Sequence, residues 1–309
     1  MKFRTEIPKM DVDLKIDFKS KITMIGSCFT ESIGNHLIES QFNVMINPFN
    51  IVFNPFSISQ QLFDKSTNEK HFIPQNGRVF SLDYHSKFNG ESASDLVRKI
   101  SNTKILVQKR LDDTDVLIIT FGTAWTYHYK ATGLTIGNCQ KLPADQFRKE
   151  LLSSSALELI YSNLFTSILS KNPTLKIILT VSPVRHIKDG LVENNRSKAI
   201  LLSLCQHLEA KYARNVIYYP SYEIVMDDLR DYRFYKKDLL HPNQMAIDYI
   251  YNHFKDTFFC EQTMNTEGLI LKYNKLNNHK DLHTSSQDLK KRHEKLDSLA
   301  KEIAALKLS

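Results

Sequence analysis

A serine lies where a buried strand is expected to give way to a helix. The run Gly26-Ser27-Cys28-Phe29 follows the apolar stretch Ile22–Ile25 and precedes a segment with helical periodicity. A serine at such a junction can direct its hydroxyl to the carboxyl edge of a sheet, beside helix N-terminal N–H groups that stabilise an oxyanion. It would serve equally well as an ordinary helix N-cap. We interpret Ser27 as a candidate nucleophile, with capping as the alternative.

Cys28 is a competing nucleophile at the same junction. A thiol at a helix N-terminus can have a lowered pKa. Cysteine is, however, frequently buried as a small apolar residue, and its side chain must point differently from that of Ser27. We therefore favour the serine.

An aspartate and a histidine near the end of the chain could complete this chemistry. His241 lies three residues after Asp238, in Asp238-Leu239-Leu240-His241-Pro242. An imidazole activates a hydroxyl only if another group fixes its tautomer and supports the imidazolium that forms. An aspartate one tight turn upstream can do both. The pair predicts a general base with its orienting carboxylate, although an exposed Asp and His at the start of a helix are also common.

Further polar residues are expected at the same sheet edge. The segment Thr180–His186 follows an apolar run. Its Arg185 could bind a substrate carboxylate or phosphate, or it could pair with Glu193 and brace the loop. His186 is a rival base. His85 has no neighbour that fixes its role.

The elements that must position these residues alternate between strands and helices. Apolar runs without clean alternation are typical of strands buried on both faces, and they are Ile22–Ile25, Phe42–Ile46, Val116–Phe121, Ile177–Val181 and Val216–Tyr219. Segments with helical periodicity are Thr30–Ser40, Ala144–Leu169, Asn194–Lys211 and Gln244–Phe258. This alternation predicts a doubly wound α/β fold, in which ligands bind beyond the carboxyl ends of the strands.

Two regions fall outside that alternation. Residues 56–110 are polar and broken by turn residues, which predicts an insertion with a helix and a hairpin over the active face. The main domain is expected to span residues 1–262. Residues 263–309 are predicted as a polar linker, about 268–284, and a C-terminal amphipathic helix. The apolar seam of that helix could pack on its own domain or join copies of the chain into a homo-oligomer, and it contains Leu289, Leu296, Leu299, Ile303 and Leu306.

Composition limits the partners that we expect. The net charge is +7, from 41 Lys and Arg against 34 Asp and Glu, and the pI is about 9.0. No block of like charges appears, so we expect no nucleic-acid partner. No apolar run approaches the roughly 18 residues of a membrane span, and no signal peptide is evident. The four cysteines lack metal-ligand spacing. We therefore expect a cytoplasmic protein with no membrane partner, metal or cofactor.

Beyond these patterns, the sequence resembles the GSCFA-domain proteins, a bacterial group related to the SGNH/GDSL hydrolases. The resemblance covers roughly residues 20–260. Its segments are Gly26-Ser27-Cys28-Phe29, Asn47-Pro48-Phe49, Asn54-Pro55, Asp83-Tyr84-His85-Ser86, Phe121-Gly122-Thr123-Ala124-Trp125, Asn138-Cys139, Ser182-Pro183-Val184-Arg185-His186 and the run from Tyr219 to Pro242. It implies a three-layer α/β/α flavodoxin-like fold and ester chemistry, with Ser27, His241 and Asp238 as a triad that works through an acyl-enzyme.

The resemblance also implies an oxyanion hole from which this chain departs. The expected donors are the serine N–H, a glycine in the second block and an asparagine in the third. Asn50 stands where the glycine is expected, but its N–H survives. The third block has no asparagine, so Thr123 or Asn138 must supply the side-chain donor, or it is absent. Loss of one donor typically costs about 10²–10³ in rate.

These features predict a serine esterase or deacylase that acts on a small-molecule or carbohydrate acyl ester. An O-acyltransferase would use the same triad, with an acceptor bound near the insertion. A non-catalytic binding protein of the same fold is the third hypothesis, and the missing asparagine favours it.

Overall fold

The computed structural model describes residues 4–63, 66–278 and 286–308. Its strands, in chain order, are β1 (Lys21–Gly26), β2 (Asn43–Ile46), β3 (Phe72–Gln75), β4 (Arg78–Ser81), β5 (Asn89–Gly90), β6 (Val116–Phe121), β7 (Trp125–Tyr129), β8 (Thr135–Ile136), β9 (Phe147–Leu151), β10 (Lys176–Val181) and β11 (Val216–Tyr218). Its helices are α1 (Cys28–Glu39), α2 (Pro55–Phe63), α3 (Ala93–Asp112), α4 (Ser154–Lys171), α5 (Leu191–Lys211), α6 (Ser221–Glu223), α7 (Gln244–Phe258), α8 (Glu261–Asn277) and α9 (Ser286–Leu308).

The centre of the fold is a parallel sheet with the strand order β11-β10-β6-β1-β2. Gly26 at the end of β1 pairs with Thr120 of β6, and Val181 at the end of β10 pairs with Phe121. The last residues of three adjacent strands therefore lie at one edge. This is the edge where the predicted site residues follow their strands.

Helices cover both faces of this sheet because successive strand residues point to opposite sides. In β6, Leu117, Ile119 and Phe121 belong to the core formed with α3, α4 and α5. Val116 and Ile118 belong to the core formed with α1 and α7. The resulting three layers confirm the predicted α/β/α class.

The region predicted as an insertion contains the expected helix and hairpin. Strands β3, β4 and β5 form a small antiparallel sheet. The β3–β4 turn has both Asn76 (φ 51°) and Gly77 (φ 72°) in the left-handed region, as a two-residue hairpin of type I′ requires. Helix α3, however, buries Leu96 and Ile100 in the main core. The end of the predicted insertion is therefore part of the layer that covers the sheet.

The prediction of one helix over Ala144–Leu169 is wrong for its first part. Phe147–Leu151 is strand β9, which pairs antiparallel with β7. The helix begins only at Ser154, where the Ser153 hydroxyl accepts a hydrogen bond from the N–H of Ala156 at 3.2 Å. Cross-strand partners from another part of the chain decided this structure, and periodicity does not contain that information.

The prediction of a polar linker from about residue 268 is also wrong up to Asn277, because α8 occupies that segment. Residues 279–285 lie outside the described residues. Leu299 and Ile303 of α9 are buried with Ile270 of α8. The seam thus packs on the same chain, and the homo-oligomer stays a prediction, as does the domain boundary at 262. In the described part of the chain, no helix combines the length and apolarity needed to cross a membrane.

Candidate active site

The serine turn, Gly26–Phe29, joins β1 to α1 where the sequence predicted a strand-to-helix junction. Ser27 is the N-cap of α1, and its hydroxyl accepts a hydrogen bond from the N–H of Phe29 at 3.3 Å. A β-carbon added to Gly26 (φ 146°) would lie 2.2 Å from the carbonyl oxygen of Thr120. Only glycine fits this position, so the turn holds Ser27 closely against β6.

Cys28 is poorly suited to act as the nucleophile. Burial raises the pKa of its thiol, and the nearby Glu31 raises it further. The thiolate is the reactive form of cysteine. A raised pKa leaves little thiolate at neutral pH, which favours Ser27 over its neighbour.

The histidine loop, Tyr235–Pro242, presents Asp238 and His241 to each other. Nδ1 of His241 lies 2.8 Å from Oδ2 of Asp238. Oδ1 of Asp238 accepts the backbone N–H groups of Leu240 at 2.9 Å and His241 at 3.0 Å. The bonds from the His241 and Leu240 N–H groups, followed by that from the imidazole, lower the pKa of Asp238 to about 2. The carboxylate is charged at neutral pH and accepts a hydrogen bond from the Nδ1–H of His241, which leaves Nε2 as the basic nitrogen.

The structure brings the serine turn and the histidine loop near each other without joining them. Burial raises the pKa of Cys28 in the serine turn, and the charge of Lys236, in the histidine loop, is close enough to offset part of that rise. Among the described residues, however, no hydrogen bond links Ser27 to His241, and the Ser27 hydroxyl accepts its bond from Phe29. Such catalytic bonds are often long in structures without substrate.

The two backbone donors expected for an oxyanion already have acceptors within the protein. The N–H of Ser27 points to the carbonyl of Thr120 at 3.3 Å, a long hydrogen bond. The N–H of Asn50 donates to the carbonyl of Asn47 at 2.7 Å. Asn50 adopts the left-handed conformation (φ 64°) that a glycine would take there. The substitution therefore preserves the turn, but its N–H is engaged.

The two side chains considered as the third donor already have contacts within the protein. The Thr123 hydroxyl lies 3.0 Å from that of Ser197 and accepts the N–H of Trp125. The side-chain oxygen of Asn138, after β8, accepts the N–H of Gln140 at 2.9 Å, and its backbone N–H donates to the carbonyl of Leu82 in the predicted insertion.

Asn47 is a polar residue at this edge that the sequence analysis did not single out. Its Oδ1 accepts the N–H of Gly26 at 2.8 Å. This bond identifies Oδ1 as the end of the amide that faces Gly26, so the nitrogen Nδ2 is at the opposite end. Nδ2 is buried and has no hydrogen-bond partner in the described part of the chain. A buried unpaired donor is costly, by about 1–3 kcal/mol, and this one lies beside the residue that precedes Ser27.

A model of the GSCFA family matches residues 21–254. The chain belongs to the GSCFA family.

Two solved structures resemble this GSCFA protein at low similarity. One is named "putative acylhydrolase" and comes from Bacteroides fragilis NCTC 9343; it is 12% identical, with 81% of this chain and 89% of that chain covered at a TM-score of 0.40. The other is a carbohydrate esterase family 3 protein from Talaromyces cellulolyticus; it is 12% identical, with 77% and 95% covered at a TM-score of 0.34. Comparison with curated proteins found no match.

Arg185 of the GSCFA chain does not bind Glu193, because Glu193 pairs with Arg196. Its guanidinium instead reaches the histidine loop, where Nη2 donates to the carbonyl of Leu239 at 3.0 Å. The sequence left two alternatives for Arg185, which could brace its loop or bind a substrate carboxylate or phosphate. In the structure Arg185 contacts the histidine loop in place of Glu193, and the substrate-binding role stays a prediction.

The two other histidines considered as site residues lie at separate places near the edge. The backbone N–H of His186 donates to the side chain of Asn194 at 2.9 Å, and its ring meets Phe53 edge-on. Nδ1 of His85 accepts the N–H of Lys87 at 3.3 Å. Burial and the charge of Lys87 lower the pKa of His85, so this ring is neutral at neutral pH.

Lys198 is a second residue that the sequence did not reveal. It is fully buried on α5, and its Nζ donates to the carbonyls of Gly122 and Ser182, each at 2.6 Å. These carbonyls follow β6 and β10, so one ammonium ties two strand ends together. Burial lowers the pKa of Lys198 to about 7.

Proposed function

We propose that this GSCFA protein is a serine-dependent hydrolase of acyl esters. The observation that carries the proposal is the 2.8 Å hydrogen bond between His241 Nδ1 and an Asp238 carboxylate fixed by two backbone N–H groups. This pair lies in the same loop as Lys236, whose charge acts on Cys28 of the serine turn. Such an arrangement supplies a base of defined tautomer to a hydroxyl at the sheet edge.

The proposed reaction has two halves. Oγ of Ser27 attacks the ester carbonyl while Nε2 of His241 takes its proton, and the resulting imidazolium returns that proton to the departing alcohol. Water then attacks the acyl-enzyme, His241 takes a proton from it, and the carboxylic acid leaves as Ser27 is reprotonated. Asp238 supports the imidazolium in both halves without accepting its proton.

The oxyanion that forms in each half needs donors. The buried Nδ2 of Asn47 has no acceptor among the described residues. The N–H groups of Ser27 and Asn50 would first have to exchange their present acceptors, the carbonyls of Thr120 and Asn47. We assign Asn47 the part of the side-chain donor for which Thr123 and Asn138 were considered.

An O-acyltransferase is a second candidate, favoured by a polar cavity of about 540 Å³ between α2 and the β7–β8 hairpin. Gln61 lines it, and within the described residues neither end of this buried amide has a hydrogen-bond partner. A hydroxylated acceptor could occupy such a cavity. Addition of glycerol or glucose to the assay distinguishes the two activities, because a transferase forms the acylated polyol whereas a hydrolase releases only the acid.

A non-catalytic binding protein is favoured by the absence, among the described residues, of a bond between Ser27 and His241. The deciding experiment treats the wild type, Ser27→Ala and Cys28→Ala with a fluorophosphonate probe and with p-nitrophenyl esters of short to long acyl chains. We expect Ser27→Ala to abolish labelling and to lower turnover by at least about 10³-fold, while Cys28→Ala keeps both. A folded wild type that is neither labelled nor active would refute the hydrolase.

A further inference from the structure

The histidine loop is held mainly by polar contacts. A bridge between Tyr235 and Pro242 closes its base, and the N–H of Lys236 donates to the carbonyl of His241 at 2.7 Å. At its tip, Leu239 adopts a left-handed conformation (φ 59°), and 51% of its surface is exposed. A leucine in that conformation is strained. Surrounding contacts must therefore stabilise the tip.

Arg185 makes contacts at both ends of this loop. Its Nη2 donates to the carbonyl of Leu239, the strained residue, at 3.0 Å. Its guanidinium carbon lies 4.4 Å from the ring centre of Tyr235 at the loop base and 5.3 Å from that of Tyr232. Both distances are within the range of cation–π attraction. Arg185 itself follows β10, so it connects the loop to an edge of the central sheet.

The geometry requires the particular shape of an arginine. A planar guanidinium can stack on an aromatic ring and donate in its own plane at the same time, whereas an ammonium is a compact point charge. The guanidinium faces the two tyrosines and Leu239, all groups of the protein. Its Nη2 is engaged by the loop, whereas its buried Nε has no hydrogen-bond partner among the described residues.

We propose that Arg185 is a positioning residue for His241. Arg185 contacts both the Leu239 carbonyl and the Tyr235 ring. By linking these two groups, it stabilises the turn in which Asp238 and His241 face each other. This inference rests on the proposed role of His241 as general base.

The test compares Arg185→Met and Arg185→Lys with a control, Arg196→Met, which removes an exposed arginine from the neighbouring helix. We expect Arg185→Met to lower kcat by about 10- to 100-fold, since small displacements of a catalytic group have effects of this size. KM should be nearly unchanged, and the loss should be equal on neutral p-nitrophenyl acetate and on an anionic hemisuccinate ester. Arg185→Lys should recover part of the activity, and Arg196→Met should match the wild type.

Two kinetic results would overturn the inference. A rise in KM restricted to the anionic ester would mean that Arg185 binds substrate, because loss of uniform binding raises KM alone. Unchanged kinetics and unchanged labelling of Ser27 in Arg185→Met would mean that the loop does not depend on it.

A second measurement reports on the loop whether or not the protein is an enzyme. The amide protons of Leu240 and His241 donate to Asp238, so their hydrogen exchange follows the loop conformation. We expect at least about tenfold faster exchange in Arg185→Met, with no change in Arg196→Met. If the wild type is never labelled but exchange accelerates, the hydrolase fails and the brace stands. If the wild type is labelled and neither exchange nor kcat changes, the hydrolase stands and the brace fails.

Discussion

The serine turn and the histidine loop are built in opposite ways. Ser27 is 1% exposed and follows a glycine that leaves no room for a side chain. The side chains of His241 and Asp238 are 39% and 44% exposed, and their loop depends on hydrogen bonds and on Arg185. The proposed nucleophile is thus fixed by the core of the fold, whereas the proposed base is fixed by a surface loop. If both have these roles, we expect reactivity to depend on how well the loop is held, since the serine has little freedom to adapt.

The largest effect on this comparison is expected from Asp238→Asn. An amide at this position can still accept backbone N–H groups, but its NH₂ end cannot accept the proton of His241 Nδ1. The imidazole would then carry its proton on Nε2 and could not act as a base, so kcat should fall by about 10⁴-fold. Steady-state kinetics check this, with melting temperature as the control for folding. A small change in kcat would show that the loop does not supply the base.

The pH dependence of hydrogen exchange in the wild-type histidine loop tests the role of the Asp238 carboxylate in a second way. The pKa of Asp238 is lowered to about 2. A carboxylate with a depressed pKa contributes its interactions above its unfolded value and loses them as pH falls through the folded one. Hydrogen-exchange protection of the Leu240 and His241 amides should therefore persist to about pH 4 and be lost between about pH 4 and 2. Loss of protection near pH 6 would contradict this assignment.

On the serine side, the next largest effect is expected from Asn47→Asp. This change retains an oxygen to accept the Gly26 N–H but replaces the buried donor with an acceptor. If Nδ2 stabilises the oxyanion, kcat should fall by about 10²–10³-fold while KM changes little. Thr123→Val and Asn138→Ala are the matched controls and should have much smaller effects. Equal losses of kcat in all three variants would show that Asn47 is not the specific oxyanion donor.

The sequence indicated the strand-to-helix position of Ser27 and the pairing of Asp238 with His241, because each is signalled locally; their catalytic roles stay predictions. A small residue between a buried strand and a helix defines Ser27, and an aspartate one turn before a histidine defines Asp238 and His241. The strands of the central sheet were also recognisable, since burial on both faces leaves uninterrupted apolar runs such as Val116–Phe121.

What the sequence did not reveal depends on contacts between distant segments. Strand β9 exists because β7 pairs with it. Asn47 becomes a candidate donor only because its other end accepts the Gly26 N–H. Arg185 meets Leu239 and Tyr235 only because the segment after β10 folds against the histidine loop. No periodicity or spacing contains such information.

The smallest expected effect concerns Lys198, whose ammonium binds the carbonyls that follow β6 and β10. Its pKa is lowered from 10.5 to about 7 by burial. Between these values the unfolded chain binds more protons than the folded protein, so this lysine makes stability rise with pH. The free energy of unfolding from urea titrations should therefore increase more between pH 7 and 10 in the wild type than in Lys198→Met. Parallel curves would show that the ammonium is not desolvated.

Glu267 of α8 bears on where the folded unit ends. Its buried carboxylate accepts the hydroxyls of Ser40 at 2.9 Å and Tyr251 at 2.7 Å, and it lies 2.9 Å from Nζ of Lys255. Ser40 and Tyr251 belong to the segment that the family model matches, residues 21–254, and Lys255 directly follows it, whereas Glu267 lies well beyond it. A chain that ended at residue 262 would lack the counter-charge of Lys255 and the acceptor of the Ser40 and Tyr251 hydroxyls. These contacts therefore continue beyond the limit of family similarity, and we expect a fragment that lacks α8 to be less stable than the full chain.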